Sequence, residues 1–144
     1  AGEVARLRRF AVGLSSGAVV VAAVGAAAGA VAGPKLVAVF FGAAFEPTGP
    51  FVALTAAGMV GATAALFLNQ LLIAMQAETR LVGPWLLAVA AGAVPVVLGS
   101  GSPTLRVITG FVVGEAVGLV GLLTTVLLLP QAVARTAEAG APSS

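Results

Sequence analysis

Very few side chains in this sequence could do chemistry. Its 144 residues include no histidine and no cysteine, which removes imidazole general bases, thiolate nucleophiles and the usual nitrogen and sulfur metal ligands. Five residues are acidic, and only Glu115 lies inside a long apolar run. Counted from Val107, where that run begins, it sits about 12 Å along a helix. An ionisable group at such a depth is costly, and such groups face an interior or a cavity. Glu115 is therefore a candidate for a substrate path, pairing with a cation or a substrate group. The other reading is a neutral structural carboxyl at a helix contact. Asn69 and Gln70, near the end of an earlier apolar run, are the remaining path candidates. Gln70 could equally bond across helices, having both a donor and an acceptor. With a single carboxyl in the apolar runs there is no paired-carboxylate site. The glycine patterns lack a following Lys-Ser/Thr and follow no strand, so they are not phosphate loops. The sequence predicts neither an enzyme nor a cofactor nor a metal site.

The elements that must position these residues are set by composition. The chain is 60% hydrophobic and 8% charged, with a mean hydropathy of +1.14. A soluble domain covers itself with about 25% charged residues, so these figures exclude one. Disorder needs the opposite balance, low hydrophobicity and high charge. A helix crosses the hydrocarbon core with about 20 apolar residues. Four runs qualify: Phe10 to Ala32, Phe51 to Met75, Leu81 to Gly99 and Val107 to Leu129. None holds Lys or Arg. The period-2 alternation of spanning strands is absent, and in lipid only helices and closed barrels satisfy their own backbone. The expected fold is all-α: a polytopic membrane protein with four transmembrane helices over residues 10–129.

Residues 1–9, with Glu3, Arg6, Arg8 and Arg9, read as a basic amphipathic lead-in at the interface. Gly33-Pro34-Lys35 reads as the end of the first helix. Leu36 to Gly42 is then a short interfacial segment anchored by Phe40, Phe41 and Phe45. Glu46 to Pro50 is a turn, with Pro50 suited to a first helical turn. Gln76 to Arg80 and Ser100 to Arg106 are polar loops. Residues 130–144 form a polar C-terminal tail, disordered at its tip. Trp85 reads as an interface anchor, Pro95 as a possible kink, and the threonines of the spans as bonding back to their own helices.

The isoelectric point of 10.6 comes from seven basic residues. These fit anionic lipid headgroups rather than nucleic acid. With four spans, Arg6, Arg8, Arg9, Arg80 and Arg135 share one side, and Lys35 and Arg106 the other. The excess predicts cytoplasmic termini in a cytoplasmic membrane.

Small residues let membrane helices approach closely. Gly25, Gly29 and Gly33 recur every four residues in the first helix, and Gly110, Gly114 and Gly118 in the fourth. Each set forms a stripe, a packing face for other transmembrane helices of this chain, of a longer parent chain or of partner subunits. The start at Ala1 is compatible with loss of an initiator Met or with a fragment of a longer chain.

One longer pattern stands out. The run Gly33-Pro34-Lys35-Leu36-Val37-Ala38-Val39-Phe40-Phe41-Gly42 is followed by Phe45. A long helix then ends in Gln70-Leu71-Leu72-Ile73-Ala74, and after a short polar loop another opens with Trp85. In this the sequence resembles the C-terminal part of polysaccharide-type flippases of the MATE-like (MOP) exporter superfamily, over about Phe10 to Leu129. The resemblance implies a role in moving lipid-linked oligosaccharide, or a related polyprenyl-linked precursor, across the cytoplasmic membrane. It further implies two pseudo-symmetric six-helix lobes, of which this chain is about four helices of the second. The cationic cavity residues of such flippases are missing from all four runs and would lie elsewhere in a longer chain. Two other readings stand beside it. One is a non-catalytic structural or assembly subunit of a larger membrane complex. The other is a small four-helix exporter acting as a homodimer, against which counts the carboxyl's place in the fourth helix rather than the first.

Overall fold

A computed structural model of the chain describes residues 2–45 and 47–139, with side chains over 5–44 and 47–128. It is all-α: helix α1 spans Gly2–Phe41, α2 Gly49–Ala74, α3 Val82–Leu98 and α4 Pro103–Ala139. One-turn 3₁₀ segments at Ala43–Phe45 and Glu78–Leu81 precede α2 and α3. No strand occurs among the described residues. All four helices are long and apolar enough to cross a membrane. Leu36 to Gly42, expected as a separate interfacial segment, is instead the last part of α1 and its glycine stop, and the short element that follows it is the Ala43–Phe45 turn.

Both ends of α1 and both ends of α4 differ from expectation. The first helix does not stop at Gly33-Pro34-Lys35 but runs through Pro34 to Phe41. Proline denies a hydrogen bond only to the carbonyl four residues back, here Ala30. Gly49, at the start of α2, comes so close that a Cβ added there would lie 2.8 Å from the Ala30 oxygen. The freed carbonyl therefore has the Cα face of another helix against it. The actual stop is Gly42, at φ +93°, whose N–H donates to Ala38 O at 2.8 Å. Glycine takes this left-handed conformation without a Cβ penalty. Residues 2–9 are likewise the first turns of α1 rather than a separate lead-in.

The fourth helix starts four residues earlier than expected, at Pro103. Ser102 accepts from Leu105 N–H through its hydroxyl at 3.2 Å and from Arg106 N–H through its carbonyl at 3.1 Å. A serine cap followed by proline at the first helical position is a strong start signal. Arg106 is thus helical and not a loop residue. At the other end α4 continues through Pro130 to Ala139, so residues 130–139 of the expected polar tail are helical. The expected disordered tip, 140–144, lies outside the described residues.

The α2–α3 turn is closed by a Schellman arrangement. Ala77 N–H donates to Leu72 O and Gln76 N–H to Ile73 O, both at 2.9 Å. The left-handed position that glycine usually fills is held by Gln76, at φ +55°.

The helices form two antiparallel hairpins, α1–α2 and α3–α4, joined chiefly through α2 and α4. Lipid is as apolar as a leucine side chain, so contact area and close approach hold them together rather than a hydrophobic drive. The α4 stripe serves this purpose within the chain. A Cβ on Gly114 would lie 3.2 Å from Ala88 O, and one on Gly92 would lie 2.8 Å from Gly110 O. Gly118 faces Ala88, and Gly121 faces Pro84. The α1 stripe is only partly used. Gly29 and Gly33 pack on Val52, whereas Gly25 has open space beside it.

The packed core sits in the half of the bundle that holds the termini. Leu68 and Leu72 of α2 meet Leu122 and Val126 of α4, with Ala11 of α1 and Ala77 of the α2–α3 turn. Cavities of about 680, 650 and 350 Å³ adjoin Phe51 in the opposite half, between the ends of α1, α2 and α4, and one of about 470 Å³ lies between α1 and α2 beside the core, along Leu14, Gly17, Thr63 and Phe67.

Candidate functional site

Glu115 lies where the half with the core gives way to the half with the Phe51 cavities. Because α4 begins at Pro103, the residue is twelve positions into its helix, about 18 Å along the axis, deeper than the apolar run alone implies. It stands one residue round from Gly114, beside the stripe that packs on α3, and so faces α2 and α1 instead. A Cβ added to Gly61 would be 3.4 Å from Glu115 Cβ. A cleft of about 190 Å³ opens here, lined by Ala18, Val19 and Ala22 of α1, Ala57, Gly58 and Gly61 of α2, and Val112, Ala116 and Leu119 beside Glu115 on α4. Its walls are small because α2 carries glycine at two positions facing α4. Phe111 takes the space above Gly58, and the Cβ of Glu115 takes the space beside Gly61.

The carboxyl is only partly satisfied. Glu115 is half-buried, but its Oε2 is buried and has no hydrogen-bond partner among the described residues. No other ionisable side chain lines the cleft. On α4 the nearest described charge is Arg106, about 13 Å earlier along the axis. Its Nη1 donates to Gly99 O at 3.5 Å, at the end of α3. On α1, Ser15 is 7% exposed, and its Oγ is a second buried atom without a partner. It lies one helical turn from Ala18 and Val19, on the side facing the core. Among the described residues no three Asp, Glu, His or Cys side chains gather.

The structure does not bring Asn69 and Gln70 to this cleft. Asn69 is half-buried, and its Oδ1 accepts from Trp85 Nε1 at 3.3 Å, tying α2 to α3. Gln70, one residue on and therefore turned by about 100°, is exposed with no hydrogen bond from its side chain among the described residues. The interhelical role expected of Gln70 belongs to Asn69. Trp85 is correspondingly not only an interface anchor, since it is half-buried and packs against the core cluster. Thr55, Thr63, Thr124 and Thr125 donate to the carbonyl four residues back, each at 2.8 Å, as their place in apolar helices requires. Residues that sequence reasoning missed are Gly58 and Gly61, the cleft's floor on α2. Their signal was a second pair of glycines, spaced by three rather than four.

Compared with protein-family models, with curated proteins and with solved structures, the chain matches none.

Proposed function

We propose that this chain is part of a membrane transporter, resembling the C-terminal lobe of an exporter that flips lipid-linked oligosaccharide or a related polyprenyl-linked precursor across the cytoplasmic membrane. The observation that carries the reading is the bundle's asymmetry about its buried carboxyl. The half with the termini holds the buried core of Leu68, Leu72, Leu122 and Val126, with one cavity of about 470 Å³ between α1 and α2 beside it. The other half holds wide apolar cavities around Phe51. The only ionisable side chain of the cleft, Glu115, stands at the junction. A lobe that rocks about its closed end would change the surroundings of that group most directly. The excess of basic residues beside the termini supports placing that closed end on the cytoplasmic side. The partners of such a lobe are membrane lipids and the further helices that complete the transport path.

The alternative, a non-catalytic assembly subunit, expects the glycine faces to be buried on other chains. The α4 face is already covered by α3, which leaves that reading with Gly13, Gly17 and Gly25 of α1 and Gly83 of α3. The test is transport of a lipid-linked oligosaccharide in cells that carry the natural protein as wild type or Glu115→Gln, matched for membrane level. The reading expects the lipid-linked precursor to accumulate on the cytoplasmic leaflet in the variant. Normal export by a well-expressed Glu115→Gln protein removes Glu115 from the path, and normal export without the protein refutes the function.

A further inference from the structure

We propose that Glu115 is a proton-binding site, loading and releasing a proton through the α1–α2–α4 cleft. The proposal rests on the geometry of the cleft and stands whether or not the cargo is an oligosaccharide lipid.

The argument starts from what the cleft can coordinate. A metal cation asks for several oxygen ligands, typically six or more for calcium. The cleft walls around Glu115 are alanine, glycine, valine and leucine, and the carbonyls of a continuous helix are already taken by its own N–H groups. One carboxyl cannot hold a metal alone, but it can hold a proton with no other ligand. The second step is Oε2, which is buried with no donor facing it. A buried ionised oxygen without a hydrogen bond or counter-charge is the costliest way to place a carboxyl. From α1 the group is faced by Ala18, Val19 and Ala22, and from α2 by Ala57, Gly58 and Gly61. None of these is titratable or charged, and α3 lies on the far side of the α4 stripe. Among the described residues, no side chain of the neighbouring helices lining the cleft supplies the charge that would hold an anion there. The third step is an approach for the proton, and the cleft of about 190 Å³ beside Glu115 is separated from the cavity at Phe51 and Val107 by the Phe111 side chain.

The test uses the whole chain, purified and returned to phosphatidylcholine vesicles, with the hydrophobic reagent N,N′-dicyclohexylcarbodiimide as probe. A protonated carboxyl gives its proton to a carbodiimide nitrogen, while a carboxyl oxygen bonds to the central carbon. The resulting O-acylisourea rearranges to a stable N-acylurea, with no atom lost. Peptide mass mapping then locates the adduct. The proposal expects an adduct at Glu115 whose rate of formation falls by about tenfold per pH unit once the pH passes above the group's titration. It expects no adduct at that position in Glu115→Gln, and slowed labelling in Ala22→Leu, which fills the cleft and leaves the carboxyl in place. Circular dichroism confirms that each variant is helical. A folded wild-type protein that shows no adduct at any pH, or one equally fast at all pH values, overturns the proposal. The transport reading fails separately. Labelling at Glu115 with normal export in Glu115→Gln keeps the proton site and discards its place on the transport path. Lost export without labelling does the reverse.

Discussion

Replacing Gly110 by alanine places a methyl group where the backbones of α3 and α4 nearly touch. The added Cβ would lie 2.5 Å from Gly92 O and 2.8 Å from Val96 Cγ2. Ordinary contact begins at 3.4 Å, so the two helices must part by roughly 0.9 Å, and the obstacle is a carbonyl rather than a side chain that could swing aside. Parting them weakens the neighbouring approaches of Gly92 and Gly114 as well, since all three share one stripe. Overpacking of this kind costs about 1–3 kcal/mol. The change also makes the helix interior more favourable by about 1 kcal/mol, leaving a net loss of up to about 2 kcal/mol for Gly110→Ala. Gly25→Ala is the control. It belongs to the other four-residue stripe but has nothing within 4 Å of its added Cβ, so only the propensity gain remains, and stability should rise by about 0.5–1 kcal/mol. Unfolding in mixed micelles by sodium dodecyl sulfate can be followed by the fluorescence of Trp85, the single tryptophan, which lies against the α4 stripe beside Gly118. Opposite signs for the two substitutions are expected. If Gly110→Ala is as stable as Gly25→Ala, the close packing of α3 on α4 is wrong.

Two further perturbations probe the end that holds the termini. Gln76→Gly relieves a left-handed residue at φ +55° and should stabilise the α2–α3 turn by about 0.5–1 kcal/mol, the relief being partly offset by glycine's greater freedom in the unfolded chain; the same unfolding titration reads it, and a loss of stability would count against the Schellman turn. A double-mutant cycle of Asn69→Ala with Trp85→Phe should give a coupling of about 0.6 kcal/mol, the usual size for a hydrogen bond between membrane helices, whereas Gln70→Ala in the same assay should show no coupling to Trp85.

The four helices were legible because their signal is thermodynamic and global. Some twenty consecutive apolar residues without Lys or Arg, with no period-2 alternation, leave the helix as the way to satisfy the backbone in lipid. The ends were less legible because local signals compete there. Gly33-Pro34 has the composition of a helix stop, but a stop needs the chain to gain something by leaving the helix. In an apolar setting each backbone group that leaves must find another partner, and here only the Ala30 carbonyl goes without its usual donor. It lies against Gly49, some twenty residues away in the chain. Gly42 ends the helix because it can adopt φ +93°, a conformation that its residue type allows but does not announce. The start of α4 was the opposite case. Ser102-Pro103 is a readable cap, and Arg106 argued against it only because a cation was assumed to stay in a loop. Its side chain instead reaches back to Gly99 O at the end of α3.

The site was legible in its chemistry and not in its geometry. Glu115 is recognisable from one sequence because no other acidic residue lies so far inside an apolar run. Which neighbours it meets depends on rotation, and helices that are apolar all round carry no polar face to report it. Asn69 and Gln70 are both amides at the same depth, yet one residue of rotation puts the first against Trp85 and leaves the second exposed. The four-residue glycine spacing did fix one face of α4, the one that takes α3. Once that face is assigned, Glu115 is turned by about 100° from Gly114 and must point at whatever packs on the adjacent side. The glycines of α2 then acquire their meaning. Gly58 receives Phe111 and Gly61 receives Glu115, three residues apart on α2 and four apart on α4, the near-match that two crossing helices require. Gly61→Leu should therefore displace the carboxyl itself, moving Glu115 out of the cleft.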